Sequence, residues 1–358
     1  MAYSRRKTRI LKVGSVTLGG SSPIAVQSMT NTDTHDHIKT CAQIKALADA
    51  GCEIVRCTVP DEDAASLFTY AKESGIAVPL VADIHFDYKA ALASAKAGAA
   101  KIRINPGNIG AEWKVKEVAD TCRGYGIPIR IGVNGGSLDK ALLEKYGSPT
   151  PAALVESALS QAEMLEKYGF SDIVISMKSS DVRSTIEAYR LAAKSCDYPL
   201  HIGVTEAGDD YSGIIKSAVG IGSLLADGIG DTIRVSLTAD PVKEVKAGKE
   251  LLRSIGLYSY GGINVISCPT CGRTKIDLIP LAAHFKEAAE NIDTKGKTVN
   301  VAIMGCVVNG PGEAREADVG IAGGDGCAVL FKNGEIVEKI DENEIIDRLV
   351  SEVHKIIG

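Results

Sequence analysis

From residue 23 to residue 237 the chain repeats one pattern eight times: a short β-rich run, a polar or glycine-containing turn, then a helical stretch rich in Ala, Leu, Lys and Glu. The runs are PIAVQSM, EIVRCTV, PLVADIH, KIRINPG, IRIGVNG, DIVISMK, LHIGVTE and TIRVSLT. Strands that alternate with helices pair in parallel, because each helix carries the chain back across the sheet. Eight such units fit a closed (β/α)8 TIM barrel better than an open sheet. Ahead of the first run, RILKVGSVTLGG reads as a hairpin able to plug the barrel's bottom. After the last, DPVKEVKAGKELLRSIG supplies the eighth helix.

The repeat stops before the Gly-Gly pair in YSYGGINVI, which predicts a barrel over residues 1–257 and a small α/β domain over 258–358. In the second segment INVISCP and VNVAIMGC read as strands around the helix KIDLIPLAAHFKEAAENI. CAVLFKNGEIVEKI reads as a hairpin turned at Asn333-Gly334, and Asp341 caps a last helix. A chain of 358 residues with 45% hydrophobic content can bury one large and one small core. The net charge of −5 argues against nucleic acid as a partner, and the basic stretch SRRKTR, which lacks interleaved aromatics, reads as a solvated end. No apolar run approaches the roughly 18 residues of a membrane-spanning helix. Without a signal-peptide pattern the expected location is cytoplasmic. Nine cysteines in that compartment are not a disulfide framework. Cys41, Cys52, Cys57, Cys122, Cys196 and Cys327 stand singly and read as small buried hydrophobes.

Alternate residues of a barrel strand point inward, so polar residues two apart share the inner face. Arg103 and Asn105 obey this spacing, as do Arg130 and Asn134, Ser176 and Lys178, and Arg234 and Ser236; Arg56 with Thr58, Asp83 with His85, and Thr205 or Glu206 join them. Burying five cations without counter-charge costs several kcal/mol per ion, and Asp83 and Glu206 cannot balance them all. An anion is therefore expected to enter. One Lys and several Arg at the carboxyl ends of barrel strands suit a phosphate or diphosphate.

The remaining chemistry lies in the tail. SCPTC places Cys268 and Cys271 two residues apart, and Cys306 precedes the Gly-Pro loop VVNGPGE, which presents Glu313. Cys-x-x-Cys serves zinc ribbons, redox dithiols and iron–sulfur sites alike. With no fourth cysteine and no histidine in that loop, Glu313 is the candidate fourth ligand; a structural zinc held by three thiolates and water is the alternative. An iron with an oxygen ligand can exchange it for substrate and act as a Lewis acid.

Over essentially its whole length the sequence resembles the bacterial 4-hydroxy-3-methylbut-2-enyl diphosphate synthases of the methylerythritol phosphate route to isoprenoids. VQSMTNTDT, VRCTVP, VADIHFDY, KIRINPGNIG, IRIGVNGGSL, LHIGVTEAG, DTIRVSL, SCPTCGRT and GCVVNGPGEA carry the resemblance. It implies a barrel followed by a small iron–sulfur domain, with Cys268, Cys271, Cys306 and Glu313 holding a [4Fe–4S] cluster. It further implies that the substrate is 2-C-methyl-D-erythritol 2,4-cyclodiphosphate. Arg56, Arg103, Asn105, Arg130, Asn134, Lys178, Arg234 and Ser236 would bind it, with Asp83 and Glu206 near the reacting carbons and Glu206 as proton donor. Flavodoxin or ferredoxin is the implied electron donor, and the implied assembly is a homodimer in which one subunit's cluster domain caps the other's barrel. Two other classes compete on the residues alone: a phosphate-substrate lyase or transferase with a structural zinc, and a non-catalytic electron carrier, which would have no use for a cationic barrel.

Overall fold

The chain opens with a hairpin, β1 (Leu11–Val13) and β2 (Val16–Leu18), paired antiparallel around a two-residue turn. Eight strands follow: β3 (Ala25–Met29), β4 (Ile54–Thr58), β5 (Leu80–Asp83), β6 (Lys101–Ile104), β7 (Ile129–Asn134), β8 (Ile173–Lys178), β9 (His201–Ile202) and β10 (Thr232–Ile233). Each coincides with one of the eight runs. The computed structural model describes residues 4–258, 261–290, 292–307 and 316–358. It falls into two compact units, residues 1–257 and 258–358.

The eight strands form one parallel sheet in the order β8-β7-β6-β5-β4-β3-β10-β9. Its two ends meet: Ile175 of β8 bridges Leu200 just ahead of β9, and its amide donates to the Pro199 carbonyl at 3.0 Å. Buried Tyr189 ties the same seam, accepting from the Met177 amide at 3.0 Å and donating to the His201 carbonyl at 2.6 Å. The strands are buried on both faces, as parallel strands flanked by helices must be.

The hairpin does plug the bottom. Leu11, Val13 and Leu18 pack on Ala25, Ile54, Val81 and Val174, the inward residues at the amino ends of four barrel strands. The basic stretch ahead of it is not the solvated end expected from its charge. Arg5 pairs with buried Asp231 at 3.0 Å, Arg6 donates to the Cys196 and Tyr198 carbonyls, and Arg9 lies 4.1 Å over the Tyr198 ring. The connections at the amino ends of the strands leave carbonyls facing outward, and these guanidinium groups satisfy them. All nine cysteines are free; Cys41, Cys52, Cys57 and Cys122 are buried, whereas Cys196 and Cys327 are half-buried. Among the described residues no helix is long and apolar enough to cross a membrane.

The second unit is a five-stranded sheet in sequence order: β11 (Gly262–Ser267), β12 (Thr298–Met304), β13 (Val319–Gly324), β14 (Cys327–Lys332) and β15 (Glu335–Asp341). The first three run parallel and the last two fold back as antiparallel neighbours. Helices Leu278–Ala289 and Ile345–Ile357 cover one face, burying Phe285, Leu349 and Val353 against Val299, Val301, Ile303 and Ile321. The hairpin turns at Asn333-Gly334 as expected, both residues with positive φ. Two details differ from expectation. Strand β13 was not anticipated, because VGIAGG carries too few large apolar residues to read as a strand. Asp341 caps a short 3-10 turn, Glu342–Glu344, that precedes the last helix.

Because Leu18 has no exposed surface and fills the base of the barrel, Leu18→Ala should cost about 2–5 kcal/mol. Urea unfolding followed by far-UV circular dichroism should show the drop.

Candidate active site

At the carboxyl ends of the barrel strands the inward side chains converge on one polar chamber. Arg56 comes from β4, Asp83 and His85 from β5 and the residues after it, Arg103 from β6, and Gly132 and Asn134 from β7. Ser176 and Lys178 follow from β8, Thr205 from beyond β9, and Arg234 and Ser236 from beyond β10. Arg130 lies deepest on β7, with 1% of its surface exposed. Every side chain here occupies the inward parity of its strand, so the period-two rule alone assembles the chamber.

Two carboxylates hold three of the cations. Asp83 accepts from Arg103 Nη1 at 3.0 Å and lies 3.5 Å from Arg56 Nε. Burial by itself would raise the Asp83 pKa; Arg56, Arg103 and Arg130 outweigh it and hold the carboxyl at about 2. Burial, partly offset by Asp83, lowers Arg56 to about 10, so the pair is ionic through the neutral range. Arg103 reaches its place because Gly132 has no side chain: a Cβ there would stand 2.5 Å from Arg103 Nε.

The second carboxylate, Glu244, was not legible as a site residue. It is buried in the helix Pro241–Ser254 and accepts from Arg234 Nη2 at 3.2 Å and Nε at 3.3 Å. It also accepts from Ser28 Oγ at 2.8 Å and from the Leu237 amide at 3.0 Å. One carboxylate thus fixes a guanidinium, β3 and the turn that carries Ser236. Its spacing in DPVKEV, three residues after the helix's first proline, is that of any first-turn acid, so nothing in the sequence marks it out.

The remaining cations have no counter-ion among the described residues. Arg130 Nε and Nη2 are buried without a protein partner, and among the described residues neither Arg130 nor Lys178 forms an ion pair. Burial, then the neighbouring guanidinium groups, pushes the pKa of both well down. The Lys178 amine lies over Gly203, the residue that follows β9, where a Cβ would stand 3.0 Å from it.

Two expected site residues lie elsewhere. Asn105 is buried but does not line the chamber; its Oδ1 accepts from the Gly107 amide at 3.1 Å and caps the short helix Pro106–Ile109. Glu206 is exposed, outside the lining, with φ at 51°. Parity explains the choice, since Thr205 continues the inward face of His201 and Gly203. Glu313 falls outside the described residues.

In the second unit Cys268 and Cys306 follow the carboxyl ends of β11 and β12, which are adjacent parallel strands. The Gly305 amide donates to Cys268 Sγ at 3.3 Å, and the Lys275 amide donates to the Gly305 carbonyl at 2.9 Å. A Cβ on Gly305 would sit 2.8 Å from Thr274 Cγ2, so glycine lets the two cysteine loops touch. Exposed Cys271 is held below the usual thiol range by the Arg273 amide and side chain. Thiolate character and an N–H aimed at sulfur are what an iron–sulfur ligand set uses. Among the described residues no three potential ligands close around one point.

The sequence is matched by the model of the GcpE TIM-barrel domain over residues 8–249 and by that of the GcpE protein C-terminal domain over residues 264–355. The chain belongs to the GcpE family. It is 57% identical over 357 residues to a curated 4-hydroxy-3-methylbut-2-en-1-yl diphosphate synthase (flavodoxin) of Caldanaerobacter subterraneus subsp. tengcongensis, covering 100% of this chain and 99% of the relative. The same name belongs to a relative from Clostridium perfringens, 57% identical over 353 residues, with 99% of this chain and 100% of the relative covered. Among solved structures, a type I 3-dehydroquinate dehydratase from Clostridium difficile superposes with a TM-score of 0.50 at 14% identity, over 69% of this chain and 98% of that one. That likeness concerns the barrel fold alone. The resemblance read from the motifs and the family match therefore agree.

Replacing Asp83 by Asn would leave two buried guanidinium groups facing an uncharged amide. We expect Asp83→Asn to destabilise the barrel by about 3–5 kcal/mol. The sign of the pH effect follows from a folded pKa of about 2 against 3.8 for an ordinary aspartate. The wild-type contribution is complete above about pH 4 and is lost as pH falls toward 2. Acid unfolding curves of wild type and variant should converge across that window.

Proposed function

We propose that this chain makes 4-hydroxy-3-methylbut-2-enyl diphosphate by reductive ring opening and dehydroxylation of 2-C-methyl-D-erythritol 2,4-cyclodiphosphate, a step of isoprenoid biosynthesis. The observation that carries the reading is the chamber: Arg56, Arg103, Arg130, Lys178 and Arg234 converge where their two carboxylates leave a surplus of positive charge. A diphosphate is the small anion that such a set of bidentate and point donors suits.

In this reading the barrel is the substrate-binding domain. Arg130 and Lys178, which have no counter-ion among the described residues, take the diphosphate, while Arg103 and Arg234 are held in place by Asp83 and Glu244. Asn134, Ser176, Thr205 and Ser236 offer neutral hydrogen bonds to the polyol. Asp83, ionised at a pKa of about 2, orients guanidinium groups and is no source of protons at neutral pH. We assign the proton to Glu206 at the rim, whose left-handed backbone costs about 1–3 kcal/mol in the way functional residues often do. Fixing the cyclic diphosphate before electrons arrive supplies the orientation that a ring opening needs.

The second unit is, in the same reading, the cluster domain. Cys268, Cys271 and Cys306, with Glu313, would hold a [4Fe–4S] cluster. When bound, such a cluster delivers electrons singly and, through an iron with an oxygen ligand, supplies Lewis acidity. The reaction consumes two electrons and one proton and releases water. A flavodoxin, part of the name of the relatives from Caldanaerobacter and Clostridium perfringens, is the electron donor that fits, with ferredoxin as the other one-electron carrier. We further propose a cytoplasmic homodimer with its active site shared between subunits.

The test is turnover without oxygen: protein, reduced flavodoxin and the cyclodiphosphate, with product followed by phosphorus NMR. Formation of the linear diphosphate is expected, and absence of product from protein carrying about four irons per chain would refute the reading. Glu313→Ala should lose most turnover while keeping iron detectable by absorption near ~400 nm; unchanged turnover would remove Glu313 from the ligand set.

A further inference from the structure

Beneath the chamber lies a second polar layer that the proposed reaction leaves without a role. Lys101 enters it from β6, two residues before Arg103, and has no exposed surface. Its amine makes one hydrogen bond, to Gln27 Oε1 of β3 at 3.3 Å, and has no ion-pair partner among the described residues. The charged groups facing it are Arg130 of β7 and Arg56 of β4. His201 of β9 looks onto the same space and feels Lys101, Lys178, Arg130 and Arg56. From β5 the nearest inward residue is apolar Val81, paired with Lys101 in register, and Asp83 above it is engaged by Arg103 and Arg56. Gln27 Nε2 and Arg130 Nε are buried donors without a protein partner. Among the described residues the Lys101 amine is thus hydrogen-bonded to one neutral acceptor alone.

Charge bookkeeping decides what Lys101 does. Among the described residues, six cationic side chains fill the barrel interior: Arg56, Arg103, Arg130, Arg234, Lys101 and Lys178. Asp83 and Glu244 are the carboxylates paired with them. Four formal positive charges are left over. A guanidinium does not give up its proton inside a protein, whereas a buried amine does. Burial, then Arg130 and Arg56, works against the charged form of Lys101, and no carboxylate opposes them. A cyclodiphosphate brings two negative charges, one on each phosphorus, into the chamber directly above.

We propose that binding of the diphosphate is coupled to protonation of Lys101, which is a neutral amine in the ligand-free protein and an ammonium beneath the bound anion. The proton comes from solvent and no other bond changes. The inference rests on the reading of the chamber as the diphosphate site. Its consequence is a charge that appears when the anion is there to balance it, so that the ligand-free fold is spared an uncompensated ion and the bound anion is still held from below. Lys101 is then a positioning residue that acts on the substrate through Arg130.

The experiment is calorimetric titration of the oxidised protein, prepared without oxygen and given no reductant, with the cyclodiphosphate near pH 8 in three buffers of different ionisation enthalpy. Each phosphorus of this ligand carries one strongly acidic oxygen, so it does not titrate there and any proton taken up belongs to the protein. Wild type should take up about one proton or more per site, and its affinity should weaken by up to about tenfold per pH unit as pH rises. Lys101→Met should bind with about one proton fewer. Removal of a buried amine without a carboxylate partner should not harm the fold. Lys101→Arg, which cannot lose its proton, should show the same loss of uptake. Binding without uptake, or equal uptake in wild type and both variants, overturns the inference alone. Absence of any binding overturns the reading of the chamber and the inference with it.

Discussion

The rest of the barrel depends on one electrostatic problem: more positive charge points into its interior than its carboxylates can neutralise. A TIM barrel is ordinarily filled by branched apolar side chains in layers. Here only the lowest layer keeps that character, where Ala25, Ile54, Val81 and Val174 meet the hairpin plug. Above it the inward positions are Lys101, Arg130, His201 and Gln27, and above those the chamber itself. Asp83 and Glu244 each serve more than one donor, which is how two carboxylates keep three guanidinium groups in fixed positions. In the proposed reading the fold accepts the remaining surplus because a bound diphosphate relieves it. Binding energy that in an apolar core would stabilise the protein is held back here for an anion.

The two units place their candidate site residues by the same rule. In both, these side chains stand at the carboxyl ends of parallel strands, where the backbone leaves the sheet and side chains of neighbouring strands converge. In the barrel the convergence is radial and brings together residues more than a hundred positions apart, such as Arg56 and Arg234. In the small unit it is pairwise: β11 and β12 end side by side, and Cys268 and the loop of Cys306 are joined by the Gly305 amide. The antiparallel half of that sheet, β13 to β15, carries none of the expected ligands and supplies core instead.

Much of this was legible because period-two parity is a local property. The eight runs locate the strands, and polar residues at inward parity name nearly the whole chamber, Arg56 through Ser236. Parity also separates neighbours in the sequence. Between Thr205 and Glu206 it puts Thr205 on the chamber lining and leaves Glu206 exposed outside it. Asn105 has the inward parity of Arg103 but is claimed by the helix that begins at Pro106, a competition between capping and binding that spacing does not reveal. Glu244 was out of reach because it acts from a helix behind the sheet, and only the three-dimensional fold brings it to Arg234. Lys101 was read as part of a strand and of a motif, not as a charge, since its depth becomes apparent only once the barrel is closed. Arg5 and Arg6 carry the same lesson: charge near a terminus predicts solvent, until buried carbonyls and Asp231 are found waiting for it.

The central claim is that the uncompensated cations of the barrel are a diphosphate site, and a crystal structure of the oxidised protein with the cyclodiphosphate tests it most directly. Both phosphorus atoms should lie within salt-bridge reach of Arg130 and Lys178, with Asp83 and Glu244 still bound to their guanidinium groups. A ligand seated elsewhere, or a chamber in which Arg130 and Lys178 keep clear of phosphate oxygen, would contradict the account.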